Sequence, residues 1–136
     1  MSLVGRMGRM PTVNCVIALY AGDGYYLSVF CYGRLGTVNA LTMLTTYYTT
    51  SEQVQHLIKG GSIGTLRPPG ESTHMVGAVI NAHKGIDELL ASTYEDIFVF
   101  TPRGPGNGRW RRLWYDPGLS NWRIDFLPKE QGSNNL

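Results

Sequence analysis

The amino-acid sequence predicts an α+β domain, an antiparallel sheet of about five or six strands with two helices packed on one face. Three observations carry this. Residues 12–20 and 25–32, rich in Val, Ile, Tyr and Phe, flank a Gly-Asp-Gly. Residues 37–59 switch to apolar spacings of three and four. Three further β-rich runs then follow, separated by Asn107-Gly108 and Pro117-Gly118, which is the punctuation of an antiparallel meander.

The first two runs should pair as a hairpin, because Gly22, Asp23 and Gly24 supply the positive φ angles that a tight connection needs. A three-residue loop places Cys15 directly opposite Cys31. Val38, Leu41, Leu44 and Tyr48 form the stripe of a first helix over 37–48. Thr50 and Gln53 then form a capping box, opening a second, short helix whose apolar side is Val54, Leu57 and Ile58 and whose end is Gly60-Gly61. The two helices should be nearly contiguous and bent at Thr49 and Thr50. Paired prolines make 62–72 a loop with a short extended stretch at 63–66. A strand is expected over 75–82, weakened by Gly77, and a helical turn over 85–92. Strands at 96–101, 109–115 and 122–126 complete the sheet.

At 136 residues the chain suits a single hydrophobic core. The folded domain is expected over 12–128, between a flexible leader (1–11) and a flexible polar tail (129–136). Charged residues make up 16%, below the roughly 25% usual in soluble domains, which favours self-association into a homo-oligomer. The formal charge of +2 excludes a strongly basic nucleic-acid footprint over the whole molecule and leaves only local clustering to supply one. Two cysteines are too few for a disulfide scaffold and lack zinc-ligand spacing, so two small buried thiols and a reduced, cytoplasmic setting are expected. The apolar run at 13–20 is far short of a bilayer span.

Residues 28–66 resemble a family of small, mostly uncharacterised proteins of tailed bacteriophages and prophages. Ser28-Val29-Phe30-Cys31, Leu44, Tyr48-Thr49-Thr50, Val54, Leu57-Ile58, Gly61, Ile63 and Leu66 carry the match. Ala82-His83-Lys84-Gly85, Tyr94-Glu95-Asp96, Val99-Phe100 and Arg109-Trp110 are similar to that family's second half. Where the family usually has a His, an Asp-Gly and a Tyr-Pro after the cysteine, this chain has Tyr32-Gly33-Arg34-Leu35-Gly36. The resemblance implies a shared fold and a mobile-element origin, and carries no activity with it.

No complete catalytic or metal-binding constellation stands in the sequence. His56, His74 and His83 lack cysteine or carboxylate neighbours at ligand spacing, and a metal site needs at least three converging ligands. Asp87, Glu88, Glu95 and Asp96 suit a helix start and a strand entry as well as acid–base work. Binding chemistry is better represented. Gly33-Arg34-Leu35-Gly36-Thr37 is a glycine loop running into a helix start, where backbone N–H groups receive phosphate. In Arg109-Trp110-Arg111-Arg112-Leu113-Trp114-Tyr115, alternation puts Trp110, Arg112 and Trp114 on the face toward the helices and Arg109, Arg111, Leu113 and Tyr115 on the other. An arginine on a core face must meet an acid, run its stem along tryptophan, or face a cleft.

These features predict a non-enzymatic phage-type protein that binds and sequesters a small phosphorylated ligand, such as a nucleotide signal of host defence, without metal or cofactor. The expected contacts are Arg34, Gly36, Thr37, His83, Arg109, Trp110 and Arg112. The alternative is a macromolecule binder, for single-stranded nucleic acid or a host protein, with Arg109, Arg111 and Arg123 spread over one sheet face. A small enzyme comes third.

Overall fold

The computed structural model describes residues 13–33, 36–75, 77 and 79–127; the expected leader and tail lie outside them. The hairpin forms, with β1 (Cys15–Gly22) and β2 (Tyr25–Cys31) antiparallel and Cys15 opposite Cys31. The turn is the two residues Asp23 and Gly24 rather than three, Gly22 pairs with Tyr25, and an irregularity between Tyr20 and Gly22 gives the expected register. Gly22, Asp23 and Gly24 all have positive φ. Helix α1 (Gly36–Tyr47) and helix α2 (Ser51–Lys59) follow with a break at 48–50. Both halves of the capping box are made, with Thr50 Oγ1 accepting from the Gln53 N–H at 3.2 Å and Gln53 Oε1 accepting from the Thr50 N–H at 3.2 Å. Strands β3 (Ile63–Thr65), β4 (Thr73–His74) and β5 (Asn81–Lys84) lead into helix α3 (Gly85–Ala91), and β6 (Asp96–Pro102), β7 (Gly108–Asp116) and β8 (Asn121–Leu127) close the sequence of elements.

Among the described residues the sheet has eight strands rather than five or six, in the order β4-β3-β2-β1-β6-β7-β8, with β5 also paired to β2. The added strands are short. The strand expected over 75–82 survives only as its last two residues within β5; of the rest, Val76 and Ala78 lie outside the described residues. The sheet is also mixed rather than antiparallel. β1 runs parallel to β6, from Cys15↔Asp96 to Leu19↔Phe100, and β2 meets β3 in parallel at Cys31↔Ile63. Parallel neighbours need long crossover connections; the chain between β2 and β3 supplies one with α1 and α2.

Helices α1 and α2 cover one face, as expected. Leu44, Tyr48, Val54, Leu57 and Ile58 pack there on Ile17, Leu19, Val29, Phe98, Phe100 and Trp110. Of the predicted stripe on α1, the side chain of Val38 lies outside the described residues. The expected helical turn at 85–92 is a helix in its own right and packs on the opposite face, where Leu89 lies against Val16, Ala18, Tyr26, Ile97, Val99 and Leu113. Strands β1 and β6 are thus buried on both sides: Val16, Ile17 and Ala18, like Ile97 to Phe100, are fully covered. Each such large apolar side chain contributes roughly 1.5–3 kcal/mol relative to exposure.

The paired thiols are free and buried in the helix-side core. A hydrogen bond between them, together with burial, pushes the Cys15 thiol well up, while the same bond and the Gly33 backbone hold Cys31 below the usual thiol range.

Trp110, 3% exposed, ties β7 to the end of α1: its Nε1–H donates to the Tyr48 carbonyl at 2.8 Å, and its ring meets Phe100 edge-on at 5.2 Å. Trp110→Phe keeps an aromatic ring but removes the N–H-bearing half of the indole, so that a cavity term adds to the cost of stranding a buried carbonyl, itself about 1–3 kcal/mol. Urea unfolding should show that loss as a lowered midpoint with an unchanged slope. A midpoint within error of wild type would refute this role for the indole.

Candidate functional site

Alternation along β7 holds. Trp110 joins the core on the α1/α2 side, and Leu113 joins the core under α3. Arg112 does meet an acid. Its Nε and Nη2 both lie 2.9 Å from Asp96 Oδ2, Nη1 lies 3.6 Å from Asp125 Oδ2, and the guanidinium sits 5.0 Å from the Trp114 ring centroid. Trp114 Nε1–H in turn donates to Asp125 at 3.0 Å. The charge expected to hold a phosphate is therefore already neutralised by two carboxylates of its own chain.

Other expected contacts are also placed elsewhere. Trp110 is a core residue, with no ring face open to a ligand. His83 Nε2 is 2.9 Å from the buried Ser28 hydroxyl and braces β5 against β2. Arg34 lies outside the described residues; Gly36 and Thr37 begin α1, and the Thr37 side chain lies outside the description as well. Arg123 pairs across from Trp114, stacks 5.4 Å from its ring centroid and reaches Asp116 at 3.4 Å. It therefore shares the face of Arg112, and the three arginines expected on one surface divide between two.

The cationic cluster that does form lies on the α3 side, at the end of the sheet where both hairpins turn. One cleft of about 410 Å³ is lined by Tyr20, Gly24, Tyr26, Gly85, Ile86, Thr101 and Arg111. A second of about 330 Å³, lined by Thr101, Arg103, Arg109 and Arg111, adjoins it through Thr101 and Arg111. Among the described residues no carboxylate lines either. Strand geometry explains the convergence, since Arg109 and Arg111 are two residues apart on β7 and Thr101 lies opposite Arg109 on β6. Arg103 is presented by the β6–β7 connection, which its own N–H closes on the Asn107 carbonyl at 2.8 Å. Gly104 and Gly106 take the left-handed backbone this loop requires.

Arg111 is the unusual member. Among the described residues its buried Nε–H has no acceptor, and its Nη2 reaches the Tyr26 hydroxyl at 3.4 Å. Buried polar groups in folded proteins are nearly always satisfied, and an exception needs a reason. Tyr20 and Tyr26, with ring centroids 5.2 Å apart, add an aromatic wall. The sequence had placed Arg109 and Arg111 together on one face. Tyr20, Tyr26 and Thr101 carried no such signal, because they reach the site from other strands.

Among the described residues, no three His, Cys, Asp or Glu side chains gather as metal ligands, and no helix is long and apolar enough to cross a membrane. In comparisons with family models, curated proteins and solved structures, the chain matches none.

A guanidinium N–H left without an acceptor costs stability until something binds it. Arg111→Met, which keeps the apolar stem and removes the buried donor, should raise the stability of the ligand-free protein by roughly 1 kcal/mol. Thermal and urea unfolding read this directly. A clear destabilisation would mean that the contact with Tyr26 outweighs the missing acceptor.

Proposed function

We propose that this chain is a non-enzymatic, phage-type binding protein that sequesters a small phosphorylated ligand, of the kind a host uses as a nucleotide signal, and works as a homo-oligomer in the host cytoplasm. The ligand's phosphate is held by Arg103, Arg109 and Arg111 rather than by Arg112, and its organic part rests on Tyr20, Tyr26 and Ile86. The observation that carries this reading is the buried, acceptorless Nε–H of Arg111 at the junction of two clefts lined by cations, a hydroxyl and aromatic rings without an acid. An anion there supplies the missing acceptor, and bidentate guanidinium–phosphate contacts are strong and directional. The resemblance to small tailed-phage proteins supports the setting.

A second reading, single-stranded nucleic acid, draws on a different observation. Tyr115 lies on the same side of β7 as Arg109 and Arg111, with the exposed Tyr94 and the half-buried Trp122 at centroid distances of 4.9 and 5.8 Å. Such rings stack bases. Leu113, between Arg111 and Tyr115, is buried with Leu89 of α3, which separates the aromatic cluster from the arginines and favours the compact ligand.

Calorimetry with inorganic pyrophosphate, ATP and a fluorescently labelled single-stranded oligonucleotide separates the two. For a compact ligand, Arg111→Ala should weaken pyrophosphate or ATP binding by roughly 10–100-fold, the equivalent of one lost charge-assisted contact, and Arg112→Ala should change it little. Oligonucleotide binding that falls steeply with salt, with similar modest losses at Arg103, Arg109 and Arg111, would favour the second reading. Absence of binding to all three probes would count against both.

A further inference from the structure

Strand β8 ends the order of the sheet, so among the described residues its outer edge has no neighbour. It is a full seven-residue strand without proline, and the large apolar Ile124 on it is 52% exposed. Unprotected edges of this length pair with another strand unless something prevents it, and charged residues are the usual device. Here the charges are arranged differently. The sequence Trp122-Arg123-Ile124-Asp125-Phe126 reads aromatic, cation, aliphatic, anion, aromatic, so it is complementary to itself when reversed.

We propose that β8 pairs antiparallel with β8 of a second copy of this chain, about a two-fold axis through Ile124, joining two sheets into one. In that register Arg123 stands directly opposite Asp125 of the other copy, and the pairing occurs twice by symmetry, as an isologous interface requires. Moving the axis by one residue in either direction, a two-residue slip of the register, puts Arg123 opposite Arg123 or Asp125 opposite Asp125. Both side chains have capacity for it: Arg123 and Asp125 are 52% and 44% exposed, the two bonds of Asp125 within the chain both use Oδ2, and Arg123 holds Asp116 only at 3.4 Å. Arg123 and Asp125 lie on the α1/α2 side of the sheet and Ile124 on the α3 side. The pairing therefore leaves the Arg103–Arg109–Arg111 cleft, at the hairpin end of β6 and β7, open in each copy. The proposal rests on the homo-oligomer reading above, and gives it an interface and a register.

The register makes the test specific. Opposed residues of antiparallel strands have Cα atoms about 4.5–5.5 Å apart, inside the window for a disulfide. Ile124→Cys, oxidised with glutathione disulfide, should therefore give a covalent dimer. Asn121→Cys, whose copies lie roughly 20 Å apart in this register, should not. The wild type serves as the control, since Cys15 and Cys31 are buried. In sedimentation equilibrium, Arg123→Asp should weaken the dimer by about tenfold or more by setting like charges opposite each other, and the double reversal Arg123→Asp/Asp125→Arg should restore it. A wild-type oligomer that neither cross-links at 124 nor responds to the reversal would leave self-association standing and eliminate this interface. A monomeric wild type at micromolar concentration would overturn both and leave the edge to a foreign strand.

Discussion

The parallel pairing of β1 with β6 is the contact on which the remainder of this structure depends. It brings Cys15–Leu19 beside Asp96–Phe100 and joins the N-terminal hairpin to the C-terminal meander in one sheet. Because both strands lie in the middle, each needs cover on two faces. Helices α1 and α2 supply one side, and the short α3, through Leu89, supplies the other. The junction also fixes where the two hairpin turns sit relative to each other, at the same end of the sheet. That is why Tyr20 and Tyr26 from one turn and Arg103, Arg109 and Arg111 from the other line adjoining clefts.

The arginines illustrate how face decides role. On the helix side, Arg112 and Arg123 sit among Asp96, Asp116, Asp125 and Trp114, and their charges are balanced within the chain. Partly exposed pairs of this kind contribute modestly to stability, about 0–1 kcal/mol each, and serve mainly to orient side chains. On the α3 side, Arg103, Arg109 and Arg111 line a cleft with Thr101, and among the described residues the buried Nε–H of Arg111 lacks an acceptor. Positive charge gathered in a cleft attracts anions far more effectively than the same charge spread on a convex surface. A net charge of +2 for the whole chain conceals this division.

Long polar loops are held by a few side chains. Tyr48, at the break between α1 and α2, donates its hydroxyl to the Arg67 carbonyl at 2.6 Å and lies 3.1 Å from Ser72 Oγ, pinning the proline turn that follows β3. Its burial, the largest influence, raises the phenol above its ordinary range, so the neutral donor form prevails. With Trp110 bonded to the Tyr48 carbonyl, one residue anchors β7, the helix pair and that turn together.

Local chemistry alone determined a good part of this. The Gly22-Asp23-Gly24 stretch located the hairpin turn, and the register with Cys15 opposite Cys31 holds because a bulge after Tyr20 takes up the residue by which the two-residue turn is shorter than the expected loop. Thr50 and Gln53 located the start of α2, because a capping box spans only four residues. Alternation on β7 sorted its arginines and tryptophans onto the correct faces, because strand periodicity is fixed by the backbone. Tertiary structure decided what those faces meet. Alternation could not reveal that the side bearing Arg109 and Arg111 would be walled by α3 and the first hairpin, nor that Asp96 and Asp125 would reach Arg112 from neighbouring strands. The unbroken apolar runs of β1 and β6 did hold a signal that both faces are covered, since strands covered on one face alternate and centrally buried ones do not. Strand direction left no such trace, because the same residues fill a parallel or an antiparallel place, and only the crossover path through space distinguishes them.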